Sequence, residues 1–271
     1  MANEIQAKPQ TKMGFTSFMT NGTIQKKVND ILGDEKKGAR FISSIVSAVN
    51  SNPSLKECDN TSILSGALLG ESLNLSPSPQ LGNYYLVPFN DKDRGKVATF
   101  QLGYKGYIQL AIRSGQYKKL NVLSIKEGEL IKYDPLNEEL DVKLIEDEEE
   151  REKTPTIGYY AMFEYVNGFK KSIYWSKKKM EAHALQYSQG YRAKKGYTFW
   201  EKDFDSMAFK TMLRQLISKW GIMSVDMQNA YESDMAVINE DGSKDYFDTK
   251  EAQVFEVEPT TGEVKSLDDI Q

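Results

Sequence analysis

Apolar positions first recur with a helical period at Phe41, Ile45, Val46 and Val49, which share one stripe of a run starting near Arg40; helical signals begin earlier, near Thr23. Asn52-Pro53 closes that run, because proline fixes φ and pushes its predecessor out of the helical region. Thr61–Leu73 predicts another helix through Ile63, Leu64, Ala67 and Leu68, and NLSPSPQLGN after it carries prolines and a glycine and predicts irregular backbone. The period then changes to two. Tyr84–Phe89 and Val97–Tyr104 flank the polar NDKDRGK and predict a hairpin. Lys105–Ser114 returns to helical spacing, and Lys119–Lys126 alternates again. Thr156–Tyr165 and Phe169–Trp175 flank Asn167-Gly168, a dipeptide that tolerates the positive φ of a tight hairpin. Ser176 can cap a helix running to about Ser188. Trp200–Trp220 predicts the longest helix, with Phe209, Leu213, Leu216 and Trp220 on one stripe.

These elements predict an α+β fold: a small antiparallel sheet and hairpin core with packed helices, and further helices before it. The expected organisation is a polar, flexible arm over 1–22, a helical region over 23–75, a core over 76–225 and an acidic, largely disordered tail over 226–271. Within the core, 134–153 reads as an acidic insert of loop plus one edge strand.

Charge changes this picture more than composition does. The net charge of −4 conceals segregation. Residues 168–220 hold twelve Lys/Arg against four acids, a net +8, whereas 134–153 carries −7 and 221–271 carries −10. The single cysteine, Cys58, forbids an internal disulfide and points to a reducing compartment. No apolar run long enough to span a bilayer and no apolar leader is visible, so a soluble cytoplasmic protein is expected.

Four segments could carry chemistry. QGYRAKKGYTFW interleaves Arg192, Lys194 and Lys195 with Tyr191, Phe199 and Trp200 between glycines; cations suit phosphates and flat rings suit bases. A surface loop with its rings tucked into the core would show the same pattern. In FQLGYKGYIQLAIRSGQ, Lys105 opens a helix whose N-terminus favours anions, and Gln109 and Arg113 follow on the same face, although on spacing alone an ordinary solvated helix face explains this stripe better. Lys210 and Arg214 are also four apart, at the border of the apolar stripe, where they could line a groove or snorkel over the core edge. Lys177, Lys178 and Lys179 in a first helical turn oppose the macrodipole by about 0.3–1 kcal/mol each, which fits selection by a polyanion and equally fits chance surface lysines, screened by solvent. There is no Walker-type phosphate loop, and one histidine with one cysteine excludes a Cys/His zinc site.

LSPSPQLGNYYLVPF, FQLGYKGYIQLAIRSGQ and WEKDFDSMAFKTMLRQLISKW together resemble the RecT family of phage-encoded single-strand annealing proteins, in its Gram-positive prophage form. The resemblance covers roughly residues 41–222. It implies a DNA-binding annealing core, ATP-independent pairing of complementary single strands, binding to the new duplex intermediate, and assembly into rings or helical filaments. It places the protein in the cytoplasm of a bacterial host, beside a phage exonuclease and a host single-strand-binding protein, without a membrane. Carried over from the resemblance, Tyr104, Lys105, Gln109, Arg113, Lys210 and Arg214 are expected to contact DNA, and Gln101 of the same block joins them. Lys177, Lys178, Tyr191, Arg192, Lys194, Lys195, Phe199 and Trp200 enter the contact set on their chemistry. No covalent catalysis and no required cofactor are expected, with Mg2+ at most a modulator of DNA binding. The reading requires Lys105, Arg113, Lys195, Lys210 and Arg214 to converge in one trough. A metal-dependent DNA-processing nuclease and a protein-only scaffold are the alternatives.

Overall fold

The structure is a computed structural model that describes residues 13–196 and 198–246. The chain divides into two compact units, one formed by the residues up to Gln101 with 237–243, the other by 102–236 with the residues from Lys244.

The first unit opens with α1 (Phe15–Met19), α2 (Gly22–Leu32) and α3 (Glu35–Ser51). Asn21 and Asp34 cap α2 and α3 by accepting first-turn N–H groups. A 3-10 turn at Pro53–Glu57 follows, then α4 (Asn60–Ser72), capped by Asp59, and a hairpin of β1 (Tyr84–Asp91) and β2 (Gly95–Leu102). Gly70 is required here: a Cβ would meet the Tyr84 ring at 2.3 Å, and Tyr84 in turn stacks on Phe100. Of the arm expected over 1–22, the described part, residues 13–22, holds α1 and the start of α2. Phe15 and Met19, four apart, bury one face of α1, while residues 1–12 lie outside the described residues.

The second unit begins with α5 (Tyr104–Arg113) and β3 (Tyr117–Lys126). The acidic insert comes next and holds more structure than a loop and one strand. β4 (Leu130–Asp134) pairs antiparallel with β5 (Glu139–Val142), and α6 (Glu148–Lys153) follows. The buried Glu129 carboxylate organises it, accepting from Lys126 N at 2.7 Å, Ile145 N at 3.2 Å and Arg151 Nε at 2.6 Å. Burial opposes this charge, but the Arg151 hydrogen bond and the two backbone N–H groups hold the carboxyl below its ordinary pKa.

β6 (Thr156–Tyr165) and β7 (Lys170–Ser176) form the hairpin that Asn167-Gly168 predicts, with Gly168 at φ +90°. The sheet order is β3-β6-β7, antiparallel throughout. Ser176 caps α7 (Lys177–Tyr187), and α8 (Gln189–Arg192) and α9 (Phe199–Lys202) are single turns. The single helix predicted over Trp200–Trp220 is broken at Asp203, whose extended φ of −151° and side-chain bond to Ser206 N start α10 (Phe204–Trp220) afresh. The core lies between this sheet and α7 and α10, on Tyr159, Ala161, Phe163, Met180, Met212 and Leu216.

Residues 226–246 are folded rather than tail. α11 (Val225–Ser233) packs on α5, and β8 (Ala236–Ile238) lies beside β2, extending the first unit's sheet in the order β1-β2-β8. β9 (Lys244–Tyr246) sends the Tyr246 hydroxyl to Glu232 O. The expected disorder beyond it falls on 247–271, outside the described residues. No helix among the described residues is long and apolar enough to cross a membrane.

Candidate nucleic-acid interface

Each predicted contact residue sits on an element that decides whether it reaches solvent. On α5, Lys105, Gln109 and Arg113 are exposed along one face, and Arg113 Nε donates to Gln109 O at 3.3 Å. Gly103 caps this helix without a side-chain acceptor. Tyr104 is half-buried, its ring edge-on to that of Phe209 with centroids 5.7 Å apart. Gln101 belongs to the first unit, where its amide reaches Thr99 Oγ1 at 3.5 Å.

Lys177 is half-buried and Lys178 exposed, and no acidic partner lies within ion-pair distance of either among the described residues. Lys179 lies 4.3 Å from the centre of the Trp175 ring, and burial together with the Lys219 charge pushes its pKa down. His183, on the same helix, is enclosed by the rings of Trp175, Tyr187 and Trp200; burial, then Arg214 and Lys179, push its pKa down to about 4.

The segment between α8 and α9 presents Arg192, Lys194 and Lys195 to solvent, again without a carboxylate partner among the described residues. Its shape comes from inside. Glu201 accepts from Gly196 N at 2.8 Å and from both Thr198 N and Thr198 Oγ1, completing a capping box. Gly190 meets Thr198 so closely that a Cβ would lie 2.6 Å from its methyl group, and Gly196 has φ +74°. The glycines therefore close the loop on itself.

Two sets of expectations change. Trp200 cannot stack on a base: it is 3% exposed, packed against Phe204 at 5.0 Å and Tyr191 at 6.2 Å. Tyr191 is half-buried in the same cluster, leaving Phe199 as the exposed ring among the described residues of this segment. Lys210 and Arg214 are also not on an open groove. Lys210 is 8% exposed, and both cations point at the Asp234 carboxylate, at 2.9 and 2.7 Å. Asp234 also accepts from Leu102 N at 2.9 Å, so one carboxylate ties α10 to the start of α5. The single trough through Lys105, Arg113, Lys195, Lys210 and Arg214 thus loses two of its five members to a buried ion cluster.

One cluster was not anticipated. Lys118, Lys119 and Lys170 converge on Glu164 at 2.7, 3.9 and 3.4 Å. The sheet register makes it, because Lys119 and Lys170 both pair with Glu164 from opposite sides. The Lys118 hydrogen bond in particular holds the Glu164 carboxyl below its ordinary pKa. Three ammonium groups on one carboxylate leave a net positive surface. Among the described residues no group of three or more His, Cys, Asp or Glu is placed to hold a metal ion.

Comparison with known proteins places these features in a lineage. The RecT family matches residues 39–250. The chain belongs to the RecT family. Membership makes it a DNA-binding protein of single-strand annealing and recombination. YqaK of Bacillus subtilis (strain 168) is 40% identical over 262 residues, covering 94% of this chain and 84% of its own. Protein RecT of Escherichia coli (strain K12) is 29% identical over 221 residues, covering 80% and 79%. The matched span takes in every RecT-block residue discussed above, the buried Lys210–Asp234 pair included.

Proposed function

We propose that this RecT-family chain coats single-stranded DNA through its phosphates and pairs it with a complementary strand, without nucleotide hydrolysis or covalent chemistry. Annealing needs one strand held by its backbone while the pairing edges stay free. Exposed cations without carboxylate partners do this; base pairing then supplies both the selectivity and the free energy. The observation that carries the reading is the run of such cations on the second unit, Lys178, Arg192, Lys194 and Lys195, with the half-buried Lys177 beside Lys178, in a chain whose family anneals DNA.

Lys105, Gln109 and Arg113 extend the contact set along α5, Gln101, Tyr104, Tyr191 and Phe199 stay in it, and Lys118, Lys119 and Lys170 add a second group of cations. Lys210, Arg214 and Trp200 leave it, being committed to the interior. A single subunit offers too few cations for tight binding, and repetition in a ring or filament multiplies a weak site. The single strand itself must come from a reaction that degrades or displaces one strand of a duplex, such as an exonuclease. Mg2+ tunes the electrostatics and is not required.

The test mixes the protein with labelled complementary oligonucleotides, with and without Mg2+, and without ATP. Faster annealing with both strands intact, weakening steeply as salt rises, is expected. Shortened strands would instead identify a nuclease, and binding that ignores salt would remove the phosphate-contact reading.

A further inference from the structure

Two of the exposed rings of the second unit share one support: Trp220 at 48% exposure and Phe169 at 45%. Both are built on Tyr165. The Phe169 ring stacks on that of Tyr165 with centroids 5.8 Å apart and planes inclined by 24°, and nearly half of the residue stays exposed. The Tyr165 hydroxyl donates to Trp220 O at 3.0 Å and accepts from Ile222 N, and the Tyr117 hydroxyl donates to Ile222 O at 3.0 Å. Two tyrosines thus pin the backbone at Trp220 and just beyond it. Lys171 lies 3.7 Å from the centre of the indole, against one face, and Trp220 keeps about half of its surface exposed.

The surroundings are cationic. Lys118, Lys119 and Lys170 converge on Glu164, the neighbour of Tyr165 in the chain and of Lys170 across the hairpin. Lys219 precedes Trp220 and is exposed. An apolar protein partner is a poor match, because lysine is depleted from the buried centre of protein–protein interfaces. A polymer that alternates flat apolar rings with anionic groups matches both features.

We propose that Trp220 and Phe169 form a stacking platform for unpaired bases of single-stranded DNA, with Lys118, Lys119 and Lys170 holding the phosphates of the same strand. The proposal rests on the annealing reading and adds to it a second mode of contact, through base faces. Stacking on a ring is sequence-tolerant, since every base has a π-face, and it leaves the pairing edge free. The hydrogen bonds from Tyr165 and Tyr117 fix the backbone that carries Trp220 before DNA arrives, which lowers the ordering cost of binding.

The test uses the full chain and two ligands of equal length, oligo(dT) and an abasic oligonucleotide that offers phosphates alone. Indole fluorescence of the wild type should be quenched by oligo(dT) and not by the abasic strand, and Trp220→Phe should lose the quench while keeping most of the affinity. Trp220→Ala with Phe169→Ala should weaken oligo(dT) binding about tenfold and leave abasic binding unchanged. Equal quenching by both ligands, or an equal drop in affinity for both, overturns the platform. So does unchanged oligo(dT) affinity with an altered oligomeric state without DNA, which would identify the patch as an interface between copies. If the double variant does not fold, the wild-type comparison of the two ligands still decides. Failure of the wild type to bind either strand would instead remove the annealing reading itself.

Discussion

Lys210 Nζ lies 2.9 Å from Asp234 Oδ1, and this pair is buried on both sides, at 8% and 3% exposure. Arg214 takes the other oxygen at 2.7 Å and lays its guanidinium 4.2 Å from the centre of the Tyr231 ring. One carboxylate thus balances two cations and caps Leu102 N. Asp234→Ala strands both cations and should cost roughly 3–5 kcal/mol of stability in urea unfolding. Lys210→Met leaves the Arg214–Asp234 pair neutral and should cost far less, while leaving the affinity for single-stranded DNA and its salt slope unchanged. A folded Lys210→Met protein with weakened, less salt-dependent binding would return Lys210 to the DNA-contact set.

The loop cations behave in the opposite way. Arg192, Lys194 and Lys195 make no ion pair among the described residues, and the loop is braced by Glu201 and its glycines rather than by charge. Lys194→Ala with Lys195→Ala should leave the unfolding midpoint unchanged and weaken binding alike for all sequences. The slope of log affinity against log salt should fall by about 0.7 for each phosphate that the variant no longer neutralises. An unchanged slope would show that these lysines face away from the strand. Glu201→Ala separates shape from charge, because it should loosen the loop without removing a cation.

The contrast between these two sets marks what the sequence could and could not say. The hairpins, the cap at Ser176 and the helix after Gly103 follow from local chemistry, and the structure has them where the pattern places them. The partner of Lys210 and Arg214 does not, since Asp234 lies twenty or more positions away and reaches them only when α11 closes on the unit. Helical spacing put both cations at the border of the apolar stripe, a position equally suited to a groove and to a buried ion pair. Trp200 shows the same limit: interleaved rings and lysines look alike whether the ring points in or out. Lys118, Lys119 and Lys170 were invisible as a group, because only the β3-β6-β7 register brings them to Glu164. Acids at 134–153 read as solvated insert because the residue that organises them, Glu129, lies before the charge run.

Glu129 makes the insert sensitive to acid. Its pKa is depressed in the folded state, so its contribution is complete above the ordinary glutamate range and is lost as pH falls through the folded value. Glu129→Gln removes the charge that Arg151, Lys126 N and Ile145 N serve, and should cost roughly 2–4 kcal/mol at neutral pH. The gap between wild type and variant should close in strong acid, once the wild-type carboxyl is protonated too. Urea midpoints collected from neutral pH downward measure it. A gap that stays constant to the lowest pH would mean that packing around the side chain, and not its charge, holds the insert.

His183 also loses stability on acidification, from a higher pH, because protonation there creates a buried charge instead of removing one. Folded, it is neutral down to about pH 4, because burial among Trp175, Tyr187 and Trp200, then the charges of Arg214 and Lys179, oppose a proton. In the unfolded chain it takes a proton near its ordinary value of 6.5. The unfolded state therefore binds the extra proton between these two values, and stability falls as pH drops from about 6.5 to about 4, by up to roughly 3 kcal/mol. His183→Phe keeps a ring in the aromatic pocket without a titrating group, so its stability should stay flatter across that interval, whatever the offset between the two proteins at neutral pH. The comparison is clean because Glu129 and the other carboxylates titrate alike in both proteins, so the difference between the two curves isolates the imidazole. Parallel curves for wild type and His183→Phe between about pH 6.5 and 4 would place the imidazole in water-accessible surroundings, against the ring distances that enclose it.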